Sequence, residues 1–215
     1  MGQLRRGIAE AIGTFALVFV GIGAIKAAPN DLLAVALAHG LTIAVFVSAT
    51  GHISGGHLNP AVTFGALVGG KIKVSDAVVY WISQLVGGTL AAYACCTLFD
   101  RGVVVAGTPQ LGAGVSSSQG IVIEAILTFF LVFVVYGTAI DPRGPKIGGL
   151  AIGLTVALDI LFGGPLTGAA MNPARVFGPA LVAGFWSTHS VYWVGPLLGG
   201  AAAGWVYKTF FLREG

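Results

Sequence analysis

Long unbroken apolar runs, rather than a short alternation of apolar and polar positions, set the pattern of this chain. Residues 7–26, 32–50, 75–98, 119–140, 147–163 and 188–211 each read as long enough to cross a hydrocarbon core. Two further runs follow Asn59 and Asn172, and at about ten apolar residues each they are too short to cross. That length suits re-entrant half-helices, which must be shielded from lipid by protein or water. Both open on Asn-Pro, an N-cap residue followed by proline at the first helical position. The expected fold is an all-α membrane protein of six transmembrane helices plus two re-entrant half-helices, forming one domain over 1–215.

The chain repeats itself. Glu10-Ala-Ile-Gly-Thr-Phe matches Glu124-Ala-Ile-Leu-Thr-Phe, Gly40-Leu-Thr-Ile-Ala matches Gly153-Leu-Thr-Val-Ala, and Tyr80-Trp81 with Gly87-Gly88 matches Tyr192-Trp193 with Gly199-Gly200. The offsets are 114, 113 and 112, and the two Asn-Pro steps stand 113 apart, so the halves, roughly 1–106 and 115–215, read as structural repeats. Each half carries three crossings. An odd number inverts the second half relative to the first, and the half-helices then enter from opposite faces. Lys and Arg concentrate on cytoplasmic loops. With the N-terminus inside, Arg5, Arg6, Lys71, Lys73, Arg143, Lys146, Lys208 and Arg213 are cytoplasmic, against Lys26 and Arg101 outside. Both termini are therefore expected in the cytoplasm, with Asn59 approached from inside, Asn172 from outside, and the two meeting near mid-membrane.

Composition sharpens the class. With 56% hydrophobic and 9% charged residues, the chain has too little polar surface for a soluble globule of its size. Its 34 glycines fall mostly inside apolar runs, which points to close helix packing rather than flexible loops. A net charge of +3 with no basic cluster gives no reason to expect nucleic acid as a partner. No nucleophile, metal-ligand or phosphate-loop pattern suggests an enzyme, a metal site or a cofactor. The adjacent Cys95 and Cys96 read as buried free thiols. Arg5-Arg6 before an apolar run could open a signal peptide, but no polar cleavage region follows, so a retained first span is expected; Arg6 also argues against myristoylation.

Polar residues inside apolar runs are the functional candidates. Arg175, three residues after Asn172, adds a full charge to the positive end of a helix dipole. Glu10 and Glu124 are membrane carboxylates at equivalent sites, and His39 and Asp159 are further polar interruptions.

Paired Asn-Pro-Ala motifs, Asn59-Pro60-Ala61 and Asn172-Pro173-Ala174, at repeat-equivalent positions with Arg175 after the second only, resemble the aquaporin (major intrinsic protein) family over essentially the whole chain. Gly51-His-Ile-Ser-Gly-Gly-His-Leu-Asn-Pro-Ala-Val-Thr and Tyr192-Trp-Val-Gly-Pro-Leu-Leu-Gly-Gly look most like plant tonoplast intrinsic proteins, although the compact length also fits a prokaryotic source. The resemblance implies a passive channel for water, with ammonia, urea or hydrogen peroxide as further neutral solutes, that excludes protons and ions. It implies four protomers side by side in the lipid bilayer, and the cell membrane is the expected location. The Asn59 and Asn172 amides would each donate to one passing water while two half-helix dipoles repel cations. The carbonyls of Gly55, Gly56 and His57, and of Gly168, Ala169 and Ala170, would supply acceptors.

The family's narrow filter falls on His39, Ile160, Ala169 and Arg175. At an effective dielectric of about 20, a cation about 4 Å from Arg175 is repelled by roughly 4 kcal/mol. His39 and Ile160 replace the aromatic residue and histidine usual in water-specific members, which implies a wider ring whose polar lining comes from His39 and Arg175. The third loop reads Thr108-Pro109-Gln110, without the histidine of ammonia-passing tonoplast proteins. Val176 departs from the Asp of glycerol-conducting members and from the Ser usual in water channels; glycerol is not expected. Glu10 and Glu124 are expected to brace the half-helix loops, as are His52 and His57, with His57 also at the inner mouth. Asp159 is expected to be paired, protonated or turned toward a neighbouring loop. Two other classes compete: an ion-coupled transporter, in which the two Glu would carry protons, and a scaffold or adhesion protein using this fold.

Overall fold

The structure is a computed structural model and describes residues 2–212; Arg213, one of the basic residues expected on the cytoplasmic side, lies outside them. The helices are α1 (Gly2–Ala27), α2 (Leu32–Ser54), α3 (Pro60–Val68), α4 (Val74–Leu98), α5 (Arg101–Gly107), α6 (Ser117–Val135), α7 (Gly148–Thr167), α8 (Pro173–Ala183) and α9 (Val191–Val206). Short π-helical stretches, Tyr136–Ile140 and Tyr207–Phe211, extend α6 and α9. By length and composition α1, α2, α4, α6 with its extension, and α7 can each cross a membrane. The sixth expected span begins at Val191 rather than 188 and reaches full length only through its π-helical end.

Two spans run four residues past the expected ends at 50 and 163. The helix continues through His52-Ile53-Ser54 and through Gly164-Pro165-Leu166-Thr167, because its stop signal is the left-handed glycine that follows, Gly55 at φ 92° and Gly168 at φ 79°. The half-helices, α3 and α8, are 9 and 11 residues long. At 1.5 Å per residue they reach about half of a 30 Å core. Sequence reading missed α5, a short helix in the third loop capped by Asp100, whose carboxylate accepts from Val103 N–H.

Packing pairs the elements in matching ways within each half and then across the halves. α1 lies on α4 and α6 on α9; α8 packs on α4 and α3 on α9; α2 and α7 cross each other. The last crossing is a glycine contact: a Cβ on Gly40 would strike the Gly153 carbonyl, and one on Gly153 the Gly40 carbonyl. Removing both side chains lets the backbones meet, as lipid-immersed helices without a hydrophobic drive for association require. Outward faces are apolar as well, with Leu33, Leu37, Leu41 and Val45 on α2 and Leu150, Leu154 and Leu158 on α7 exposed at helical spacing.

Candidate conduction pore

Each half-helix is held by one buried carboxylate. Glu10 Oε1 accepts from Ser54 Oγ at 2.6 Å and His57 N–H at 2.9 Å, and its Oε2 accepts from Leu58 N–H at 2.6 Å. Glu124 repeats this with Thr167 Oγ1 at 2.6 Å, Ala170 N–H at 2.9 Å and Met171 N–H at 2.7 Å. Tyr80 Oη donates to Ser54 O and Tyr192 Oη to Thr167 O, closing each network from a neighbouring span. The Ser54/Thr167 and Tyr80/Tyr192 contributions were not foreseen; the Tyr-Trp repeat was the available signal. The first half adds Gln84, whose amide donates to Glu10 Oε2 and Thr63 Oγ1, where the second half has Pro196 and Val176.

These anchors force the loops into unusual backbone. Gly55, Gly56 and Leu58 are left-handed (φ 92°, 63° and 52°), as are Gly168, Ala169 and Met171 (φ 79°, 42° and 50°). A non-glycine residue in that region costs of order 1–3 kcal/mol and persists only where its surroundings over-determine it. Here buried carboxylate bonds do so. Among the described residues no backbone N–H donates to the carbonyls of Gly55, Gly56, His57, Gly168, Ala169 or Ala170. Gly56, His57, Ala169 and Ala170 line a central lumen, Gly55 borders the vestibule on the side where α1 begins, and Gly168 borders the opposite vestibule.

Asn59 and Asn172 cap α3 and α8 through their side-chain oxygens, which accept from Ala61 N–H at 2.8 Å and Ala174 N–H at 3.0 Å. Their amide nitrogens cross between the halves. Asn59 Nδ2 donates to Met171 O at 2.8 Å, and Asn172 Nδ2 to Leu58 O at 2.9 Å. A side-chain amide has two N–H groups, so each keeps one beyond the cross-bond, and both residues line the lumen. Pro60-Ala61 and Pro173-Ala174 supply the buried first turns behind them.

At the other end of the lumen stand His39, Ile160, Ala169 and Arg175, brought together from α2, α7, the second loop and α8. Arg175 Nη2 lies 3.0 Å from His39 Nε2, and His39 Nδ1 lies 2.8 Å from Val35 O. A carbonyl only accepts, so Nδ1 carries the proton and Nε2 accepts from the guanidinium: His39 is neutral. The expected joint polar lining needs correction. Both imidazole nitrogens are engaged within the protein, while Arg175 Nη1 is buried without a partner among the described residues. The spare donors of the ring come from the Arg175 guanidinium alone, not from a His39–Arg175 pair. Sequence reading also missed Gly21 on α1, where any Cβ would collide with the His39 ring.

The lumen is narrow, with a volume of about 30 Å³. Leu17, Ile43, Val62, Leu131, Val135 and Val156 form its apolar wall. It shares Gly56, His57, Val62 and Ile152 with a vestibule of about 1020 Å³ that also carries Lys71, Lys73 and Lys146. It shares Ile160 and Arg175 with a second vestibule of about 380 Å³ bordered by Asp31, Thr108, Pro109 and Gln110. His57 sits at the inner junction, its Nδ1 3.1 Å from Thr63 Oγ1. His52 does not brace the loop as expected: it ends up exposed on the last turn of α2, because the helix runs on past it. Asp159 borders neither lumen nor vestibule.

Six apolar rods around a narrow lumen, with two half-helices meeting inside it, define a polytopic membrane channel. The family model described as "Major intrinsic protein" matches residues 1–207, and the chain belongs to that family. It is similar to "Aquaporin TIP4-4" of Zea mays, 48% identical with 100% of this chain and 89% of that protein covered. It is also similar to "Probable aquaporin TIP3-2" of Arabidopsis thaliana, 48% identical over 98% of this chain and 85% of that one. The X-ray structure of the aquaglyceroporin from Plasmodium falciparum shares the fold at a TM-score of 0.87 and 24% identity, covering 97% and 96% of the two chains. The protein is thus an integral multi-pass membrane protein and a passive channel of the water and small-solute class, not an enzyme. These TIP relatives give the cell-membrane expectation no support.

Proposed function

We propose that water crosses this protein in single file between the two vestibules, passing Asn59 and Asn172 and then the ring of His39, Ile160, Ala169 and Arg175. The observation that carries this reading is the pattern of spare hydrogen-bonding groups on an otherwise apolar lumen: one amide N–H on each Asn, the free Nη1 of Arg175, and loop carbonyls without backbone donors. Spare donors at the middle and acceptors toward each end orient successive waters oppositely on the two sides of the Asn pair, which interrupts proton hopping. The half-helix N-termini and Arg175 oppose cations at two depths.

The same reading takes 1–215 as one domain of two inverted repeats, with the Lys71 vestibule and both termini cytoplasmic, as the excess of basic residues on that side supports. Four protomers packed side by side fit outer faces rich in exposed Leu, Val, Ile and Phe. Small neutral solutes follow water because Ile160 and Ala169 leave an apolar, uncharged side to the ring. Parallel uptake of water, ammonia, urea and glycerol into proteoliposomes tests this. Water is expected to pass readily and glycerol poorly. Exchanging His39→Phe together with Ile160→His is expected to cut urea or ammonia flux more than water flux. Equal losses would remove the ring from the selectivity mechanism.

A further inference from the structure

Met171 stands directly before Asn172, and its backbone is fully committed. The N–H donates to Glu124 Oε2 at 2.7 Å, and the carbonyl accepts from Asn59 Nδ2 at 2.8 Å. Its thioether takes no part in those bonds. Met171 lines the lumen, and like His39 and Ile160 it is nearly closed to bulk solvent, at 2% exposed. Its repeat mate Leu58 is held by Glu10 in the same way yet does not border the lumen. The difference originates on the first helix of each half. Leu58 packs into the space left by Gly13, where any Cβ would strike its side chain. The repeat places Leu127 in Gly13's position, 114 residues on, so that retreat is closed to Met171 and its side chain stays at the lumen wall.

A thioether is a polarizable group that accepts an oxygen atom from a two-electron oxidant. Because Met171 is shut off from bulk solvent, an oxidant must reach it through the lumen. It must then be no wider than the file of water it replaces, and uncharged, since apolar walls do not solvate an ion. Hydrogen peroxide meets both conditions. We propose that Met171 is a modification site, converted to its sulfoxide by peroxide inside the lumen, and that the sulfoxide restricts water flux. The sulfur lone pair attacks one peroxide oxygen, the O–O bond breaks as the S–O bond forms, and the displaced hydroxide takes the proton from the transferred oxygen and leaves as water. Sulfur is oxidised by two electrons and the peroxide is reduced by two. A weakly accepting thioether thereby becomes a strong acceptor, in the same narrow lumen that Asn59 and Asn172 line with their spare amide donors. The added oxygen takes space from the water file and competes with water for those donors. The proposal rests on the reading of the lumen as a path for water-sized neutral solutes.

The test treats proteoliposomes of the full chain with hydrogen peroxide or with the bulkier tert-butyl hydroperoxide. Free methionine in the same solution gives each reagent's reference rate. Oxidation of the peptide carrying Met171 is followed by mass spectrometry, and water permeability by stopped-flow light scattering before and after. With hydrogen peroxide, Met171 is expected to gain one oxygen at a rate within about tenfold of free methionine, and permeability to fall at least about twofold. With tert-butyl hydroperoxide, the rate relative to free methionine is expected to be at least about tenfold lower again, because the reagent does not fit the lumen. Met171→Leu, which carries its mate's residue at similar volume, is expected to show the same permeability before and after peroxide. Native protein that conducts water but leaves Met171 unoxidised would overturn the proposal and leave the channel standing, whereas untreated protein without water flux would defeat the channel reading and the proposal with it. Equal relative rates for the two peroxides would overturn the route through the lumen. Full oxidation without loss of flux, or an equal loss in Met171→Leu, would overturn the effect on conduction.

Discussion

Replacing Glu124 with Gln removes one acceptor oxygen from a network that uses both. In the native protein Oε1 accepts from Thr167 Oγ1 and Ala170 N–H, and Oε2 from Met171 N–H. A Gln amide can keep its oxygen on the first pair, but its NH₂ then faces the Met171 N–H. Two charge-assisted bonds become neutral, at about 1 kcal/mol each, and one buried N–H is orphaned, at about 1–3 kcal/mol. The sum is roughly 3–5 kcal/mol. It falls on Met171, held at φ 50°, whose carbonyl is the acceptor for Asn59 Nδ2. The damage should therefore travel across the repeat: the Asn59 cross-bond loosens although Asn59 lies 65 residues earlier in the chain. Thermal unfolding in detergent should show a marked loss of stability, and stopped-flow shrinkage of proteoliposomes a several-fold loss of water permeability per folded protomer. A variant with native stability and native permeability would refute the view that Glu124 holds the loop in its strained form.

Three further outcomes are expected. Arg175→Val deletes the charged donor and leaves His39 Nε2 unpartnered, so proton or cation leak should rise at least tenfold while water flux persists; unchanged leak in a pH-gradient dye assay would assign the whole barrier to the Asn pair. Gly21→Ala drives a methyl into the His39 imidazole and should cost about 1–3 kcal/mol of stability through overpacking, with altered water permeability; a neutral result in both assays would mean the ring is not rigidly seated. Outside the membrane spans, hydrogen bonds from the Arg143 side chain and backbone hold the Asp141 carboxyl well below the usual carboxylate range, and Arg143 also donates to Phe211 O, tethering the chain end to this loop. Because the folded value is depressed, this contribution is complete above the ordinary carboxylate value of about 3.9, declines below it, and is gone once pH falls through the folded value. Hydrogen exchange at residues 141–147, corrected for intrinsic rate, should hold steady from pH 7 to 5 and increase only in stronger acid, whereas Asp141→Asn should loosen the loop at pH 7.

Much of this architecture is legible in the sequence because a membrane converts polar residues into signals. Six long apolar runs, two short ones opening on Asn-Pro, and a repeat of about 113 residues require no knowledge of packing. The helix ends at Ser54 and Thr167 were harder, since polar residues there belong to helices and the stop lies in the backbone angle of the next glycine. Arg175, His39, Ile160 and Ala169 come from four elements, and only the family resemblance joined them. Their bonding was not legible: no spacing tells that His39 spends both nitrogens, or that Gly21 makes room for its ring. Asp159 stood out in the sequence as a charge beside a filter residue and is expected there to be paired, protonated or turned toward a loop; a single 100° step along α7 turns it from the lumen that Ile160 lines toward α6, where its Oδ2 has no partner among the described residues.

The most direct measurement is osmotic water permeability of proteoliposomes holding the native protein, followed by stopped-flow light scattering in an impermeant osmolyte across a range of temperature. A preformed lumen with spare donors and acceptors gives fast flux with an activation energy far below that of empty liposomes, and no dependence on ion or proton gradients. Flux no faster than empty liposomes, with the same steep temperature dependence, would contradict a conducting pore; flux that required a gradient would identify a coupled transporter instead.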